Sequence, residues 1–303
     1  MSPSRPSPTP SPALTSVLLV LLCLVWGSTW LVIKIGLRDV PPFTGAALRF
    51  LVAGLCMAAL VPLLAEREGG TRPPFLAVLL QGLFQFALNY ALVYVSETVI
   101  PSGLVSVLWS VFPLFVALAG HFVLKSELLV GRQWLGMLLA FSGVALLFVT
   151  DLARVDARAV PMGLLMLVAP LSVCVSTLVI KHRAAGASSL ILNRDSILIG
   201  CVVLAILAFC FEREMPVTFT PVAVGSILYL ALFGTVLTFG VYLWLLRSVP
   251  AYRMSLTAFV TPAVALVAGA LFGGEALHLH TLAGTGCVLG GVALVLGRRV
   301  KKS

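Results

Sequence analysis

The sequence predicts an all-α integral membrane protein with ten transmembrane helices, arranged as two inverted five-helix repeats. Three observations predict it. The 303 residues are 60% hydrophobic and 10% charged, where a soluble domain carries about 25% charged residues. The apolar residues fall in long blocks rather than in the short periodic stripes of a soluble core. The second half of the chain repeats landmarks of the first at a nearly constant offset.

The chain opens on MSPSRPSPTPSP, and residues 1–13 are expected to form a disordered cytoplasmic tail. One Arg5 and an overlong apolar run set this start apart from a signal peptide, so the first span is expected to be retained. Ten apolar blocks follow, at about 14–36, 43–65, 75–95, 100–124, 132–150, 161–181, 188–211, 221–246, 252–273 and 280–297. Each approaches the roughly 20 helical residues that cross a bilayer. None alternates apolar with polar residues as a barrel strand does, and lipid leaves helices as the remaining way to satisfy the backbone. The blocks group into repeats at 14–150 and 161–297, a connecting loop at 151–160 and a basic cytoplasmic tail at 298–303.

The net charge of +9 is an orientation signal rather than a sign of nucleic acid. With the N-terminus inside, Lys34, Arg38, Arg154, Arg158 and Arg213 face outward. Most other Lys and Arg residues face the cytoplasm, as the positive-inside rule requires. Both termini are then cytoplasmic and the protein is a multi-pass protein of the cell membrane, the inner membrane in a bacterium.

The repeat is legible in residues. Ser28-Thr29-Trp30-Leu31-Val32-Ile33-Lys34 has a twin in Ser176-Thr177-Leu178-Val179-Ile180-Lys181, one residue shorter. Ile100-Pro101, Ser106 and Pro113 match Val249-Pro250, Ser255 and Pro262 at an offset of 149. Glu127, Gly136 and Gly143 match Glu275, Gly284 and Gly291 at 148. An odd number of spans per copy makes the second copy enter from the opposite side, the organisation many secondary transporters use.

VWGSTWLVIK with PPFTGAALRF, and the two segments FPLFVALAGHFVLKSE and TPAVALVAGALFGGE with their glycine-rich closing helices, resemble a drug/metabolite transporter of the EamA type over residues 14–297. The resemblance implies a central cavity between the halves, peripheral fifth and tenth helices, and transport of small metabolites, often amino acids or related compounds. Export is the expected direction. A membrane-embedded lipid-modifying enzyme and a non-transporting membrane sensor are the alternatives.

Several residues are candidates for lining a path. Gln81, Gln85 and Asn89 recur every fourth residue on one helix face, and so must meet protein or water rather than lipid. The repeat pairs Asn89 with Thr238, and Tyr242 extends that second face. Ser102, Ser106 and Ser110 form another face beside Trp109, with Ser255 as twin of Ser106. Their hydroxyls also suit backbone carbonyls one turn back. Trp26 and Ser28 lie beside Gly27 on the first span. Arg49 is a candidate anion contact, although its depth also suits snorkelling or helix pairing. Pro113 and Pro262 are candidate gating kinks. Gly269xxxGly273 and Gly286xxxGly290 read as close helix contacts, within one chain or between two.

The remaining signals argue for transport. No metal or cofactor site is expected from the scattered Cys and His residues, and Gly284-Thr-Gly286 lacks the strand of a dinucleotide loop. No carboxylate pair lies mid-span for acid–base chemistry. The expected partners are a small-molecule solute and the lipid bilayer, without nucleic acid, for a monomer or homodimer. Glu97, Asp195 and Glu275 are placed at span ends, where each reads as ending or capping a span. The expectation is therefore facilitated transport or exchange rather than proton coupling.

Overall fold

The computed structural model describes residues 11–124, 129–152, 156–246 and 257–296. These residues are helical apart from turns, loops and one isolated bridge between Thr71 and Ala187. The helices are α1 (Pro12–Gly36), α2 (Pro42–Glu68), α3 (Phe75–Glu97), α4 (Ser102–Phe122), α5 (Gly131–Leu152), α6 (Ala159–Arg183), α7 (Ser189–Phe211), α8 (Pro221–Tyr242, continuing to Leu246), α9 (Thr257–Phe272) and α10 (Leu279–Leu296). Among the described residues, α1–α8 and α10 are nine helices long and apolar enough to cross a membrane, and the apolar stretch of α9, Val260–Phe272, is shorter. Ser255, Glu127, the Val249–Pro250 pair and both chain ends lie outside the described residues.

The starts of the helices follow from local chemistry. Proline occupies the first turn of α1, α2 and α8, where its missing N–H costs no bond. Ser11, Ser188 and Thr220 cap α1, α7 and α8 through their hydroxyls. Gly69, Gly70, Gly186 and Gly274 turn the chain between helices with positive φ. The outward faces carry large apolar side chains such as Leu63, Phe75, Leu138, Phe209, Leu271 and Leu279. A water-facing surface of this kind is rare; on a bundle of apolar helices it is a lipid-facing one.

Two helix pairs organise the bundle. The Glu68 carboxylate at the end of α2 accepts the Ser189 and Leu190 backbone N–H groups and the hydroxyls of Ser188 and Ser189 at the start of α7. The Glu212 carboxylate just past α7 accepts the Phe43 and Thr44 N–H groups at the start of α2, each at 2.7 Å. The two helices therefore run antiparallel, each capping the other. Helices α5 and α10 form the second antiparallel pair. A Cβ on Gly136 would lie 2.7 Å from the Gly291 carbonyl oxygen, and one on Gly143 would lie 2.7 Å from that of Gly284. Only glycine admits backbones this close.

This corrects the glycine reading in part. Gly273 meets Leu31 and Gly269 meets Glu275, so that stretch is a close contact. Gly286 has open space where a Cβ would stand, and Gly290 has only Leu139 at 3.8 Å. The packing face of α10 uses Gly284 and Gly291, two turns apart, and not the four-residue motif between them.

Three helices widen locally into π-helical turns: Gln81–Leu88 in α3, Leu232–Leu237 in α8 and Phe148–Leu152 in α5. At an offset of 149, Gln85 corresponds to Gly234, so the first two occupy matching places in the two halves. Such turns are frequent at functional sites. Pro113 stands in the first turn of the second segment of α4, just after a break at Ser110 and Val111. Pro262, expected as a matching kink, lies inside a continuous α9.

Candidate functional site

Arg49 enters α2 about two turns after its start, and only 1% of it is exposed. Its guanidinium does not snorkel; it points across to the π-helical turn of α8. Nε donates to the Thr235 hydroxyl at 3.1 Å and Nη2 to the Gly234 carbonyl at 3.4 Å. The Thr235 hydroxyl in turn donates to the Leu230 carbonyl at 2.9 Å. Glycine at 234 is what admits this approach, since a Cβ there would sit 2.9 Å from Thr29 and 3.5 Å from the guanidinium. The guanidinium carbon lies 4.7 Å from the Tyr90 ring centre and 5.5 Å from that of Phe50, a cation–π arrangement strengthened by burial. Nη1 is buried and makes no hydrogen bond of normal geometry among the described residues, and the buried Tyr94 hydroxyl stands near the guanidinium.

An aromatic ladder leads from this cation through the bundle. Tyr90 meets Phe50 edge-on at 4.8 Å, Phe50 meets Phe86 at 5.5 Å, Phe86 meets Phe239 at 6.1 Å, and Phe239 meets Trp26 at 6.3 Å. Trp26 then meets Tyr242 at 5.4 Å. Two residues expected from sequence, Trp26 and Tyr242, thus share one stack with the surroundings of Arg49. A second group joins Trp30, Trp109 and Phe112, with ring centres 6.4 and 5.5 Å apart.

The other expected residues separate by role. Gln81 bridges to α7: its amide donates to Asn193 at 3.0 Å and accepts from Ser196 at 3.1 Å. Gln85 is half-buried and has no hydrogen bond among the described residues. Asn89 is buried and accepts the Trp109 indole N–H at 2.9 Å. Ser106 and Ser110 donate to the Gly103 and Val107 carbonyls, one turn back at 2.6 Å each. Ser28 bonds the Val25 carbonyl and lies 2.8 Å from the Tyr229 hydroxyl. Thr238 is fully buried, and its hydroxyl is unpartnered among the described residues. Sequence reasoning missed Thr235, Tyr90, Phe50, Phe86 and Phe239. The apolar rings looked like lipid-facing residues, and only Thr235, a polar residue in an apolar span, carried a signal.

At one end of the bundle lies a cavity of about 170 Å³. Its walls include Pro101, Leu104, Asp151, Glu275, His278 and Thr281. Arg49 is not among them, so this cavity, a vestibule at the end of the bundle, is not the cation's own pocket.

The matches to known proteins follow the same division into halves. The model of the EamA-like transporter family matches residues 14–149 and again 161–297. The chain belongs to the EamA-like transporter family. Its relatives within reach share about a quarter of their residues with it over nearly their whole length. YoaV of Bacillus subtilis, an uncharacterized transporter, is 26% identical over 284 residues, covering 92% of this chain and 93% of its own. YedA of Escherichia coli K12, an uncharacterized inner membrane transporter, is 29% identical over 279 residues, covering 90% of this chain and 88% of its own. PagO of Salmonella typhimurium is 24% identical and covers 88% of each chain. A protein solved by crystallography superposes with a TM-score of 0.65 over 94% of this chain and 98% of its own, at 17% identity, a likeness of fold. The present chain is accordingly a multi-pass membrane transporter of the EamA kind, and Arg49, its aromatic ladder and the two π-helical turns are what this member places at the interface of its halves.

Proposed function

We propose that this EamA-family transporter exports small organic solutes that carry a carboxylate, amino acids and related compounds, across the cell membrane. Arg49 anchors the carboxylate. The observation that carries this reading is the buried guanidinium whose Nη1 makes no hydrogen bond of normal geometry among the described residues. A central arginine costs roughly 2.5–3.5 kcal/mol on insertion scales, and a cation held on neutral partners and rings retains capacity for an anion. The aromatic ladder supplies apolar walls for the rest of the solute, as small-molecule sites usually do.

The reading includes ten transmembrane helices in two inverted five-helix repeats. Two reciprocal contacts support it. Gly136 meets Gly291 while Gly143 meets Gly284, so each glycine touches the repeat equivalent of the other. Glu68 caps α7 while Glu212 caps α2. Self-complementary contacts of this kind are what a two-fold axis generates. Helices rocking about that axis would open the site to either face in turn. Both termini are cytoplasmic in this reading, on the positive-inside argument.

The test is a thermal-shift screen of purified protein against the common amino acids and simple carboxylates, followed by flux into sealed liposomes. A carboxylate that stabilises the native protein and not Arg49→Gln, and that crosses the membrane only with the native protein, supports the reading. Flux at native rate through Arg49→Gln overturns the role of Arg49. Conversion of an added compound in detergent, with no flux, points to an enzyme.

A further inference from the structure

The α3 helix ends on Glu97, as a residue read to end or cap a span should, and its carboxyl caps nothing among the described residues. Its side chain is 0% exposed, and neither carboxyl oxygen has a hydrogen-bond partner among the described residues. The lysine beside it is committed elsewhere. Lys34 Nζ donates to the backbone carbonyls of Glu97 at 2.5 Å and Ile100 at 3.2 Å, the place where a cation best complements a helix C-terminus. No ion pair joins Lys34 to the Glu97 carboxyl among the described residues. The nearby carboxylate of Glu275 is committed too, to the first turn of α4.

The charged groups that face Glu97 are Lys34 from α1, Arg49 from α2 and Glu275 from the segment after α9. Tyr94 lies on its own helix. Both parts of α6 pack on Asn89–Glu97: Ala159–Met166 carries no titratable side chain, and Val168–Arg183 carries Cys174 along its length and Lys181, His182 and Arg183 in its last turn. An ionised carboxylate buried with no donor among the described residues would be several kcal/mol out of place. A proton on the carboxyl would remove that cost at this end of the bundle. Thr98, the next residue, is exposed, so the acid lies one residue beneath the surface of that end. Parting α4 from the Glu275 segment would bring water and the Lys34 ammonium to it.

We propose that Glu97 is a proton-binding site whose loading is linked to closure of this end of the transporter. The proton comes from bulk water as the end shuts and returns to bulk water as it opens, leaving a carboxylate beside the Lys34 ammonium. Linkage fixes the sign: if the closed end binds the proton more tightly, acid favours closure and alkali favours opening. The inference rests on the transporter reading for its meaning, but its test needs no solute.

Two measurements on the purified full-length protein test it. Infrared difference spectra between about pH 5 and pH 9 should show a protonated-carboxyl band that titrates. The band should vanish in Glu97→Gln and persist at a moved frequency in Glu97→Asp, which serves if the first variant fails to fold. Leu104→Cys places a thiol on the vestibule wall, and its reaction with a water-soluble maleimide is followed by mass spectrometry of that peptide. Comparison with the same thiol in the Glu97→Gln background cancels the thiol's own pH dependence. Labelling should be several-fold faster with native Glu97 at the alkaline end and equal in the two backgrounds at the acid end. A band that does not titrate, or that survives Glu97→Gln, overturns the proton site. Equal labelling in both backgrounds at every pH overturns the link to closure. Flux without titration refutes only this inference; titration without flux refutes only the transporter reading.

Discussion

Glu275 accepts both the backbone N–H and the hydroxyl of Ser102, at 2.6 and 2.7 Å, across 173 residues of sequence. Its second oxygen takes the Gly103 N–H at 3.1 Å. Four orphan N–H groups open every helix, and here a carboxylate from the other half of the chain satisfies two of them. Glu275→Ala should lower stability in detergent by about 1–2 kcal/mol, read as a fall in the thermal midpoint. Glu275→Gln, which keeps an acceptor and loses the charge, should lose less. An unchanged midpoint in both variants would show that the cap contributes nothing.

The caps of α2 and α7 offer a cleaner comparison because they lie at opposite ends of one helix pair. Twenty-seven residues separate the ends of α2, about 40 Å at 1.5 Å per residue. Glu68→Ala and Glu212→Ala should each cost about 1 kcal/mol or more, and the double variant should cost their sum to within about 0.5 kcal/mol. A strongly non-additive double variant would mean that the α2–α7 pair yields as one unit when either end is released.

The α5–α10 interface separates two kinds of glycine. Gly143→Val places a side chain against the Gly284 carbonyl and Cys287, with no flexible neighbour to move aside, so it should destabilise by about 1–3 kcal/mol or prevent folding. Gly286→Leu meets open space and should leave the thermal midpoint of the monomer within error. If Gly286→Leu proves the damaging substitution, the exposed face of α10 is covered in the native assembly, and a second copy is the first candidate to examine by mass measurement in detergent.

Hydropathy made the spans legible, and the 149-residue offset made the two halves legible, because both are written in residue type and order. The glycine contact was half legible. The four-residue motif Gly286xxxGly290 is conspicuous, yet the helices pair through glycines seven apart, and which set faces the partner depends on rotation about the helix axis. Arg49 was legible as a charge in a span but not in its direction: snorkelling needs a path to water, and the π-helical turn of α8 offered a nearer carbonyl and hydroxyl. That turn leaves no mark in composition. Glu97 was legible as a span end but not in its burial, for a related reason. A carboxylate at a helix end suggests a cap, but sequence does not say whether the loop that follows folds over it.

Asn89 and Trp109 give a pair that can be taken apart. Asn89→Leu leaves a buried indole N–H without its acceptor and should cost about 1–3 kcal/mol. Trp109→Phe removes the donor and some contact with Trp30. The double variant should recover part of the Asn89 loss, giving a coupling energy of about 1 kcal/mol in a double-mutant cycle. Zero coupling in the stability cycle would show that Asn89 has another partner when the indole leaves.

Thr238 poses the opposite problem, a buried hydroxyl without a partner among the described residues. In this conformation it has nothing to lose. Thr238→Val keeps the shape of the side chain and removes a polar group whose unpaired burial costs about 1–3 kcal/mol, so the variant should unfold at the same temperature or a higher one. Stability alone therefore predicts a silent or improved protein. Thr238 is the repeat counterpart of Asn89, however, and its helix is the one whose π-helical turn holds Arg49. If the two halves rock, the hydroxyl meets solute or water in the alternate state, and the variant should be more stable yet slower in liposome flux. A variant that is stabilised and transports at the native rate would make Thr238 a residue of the packed interior alone.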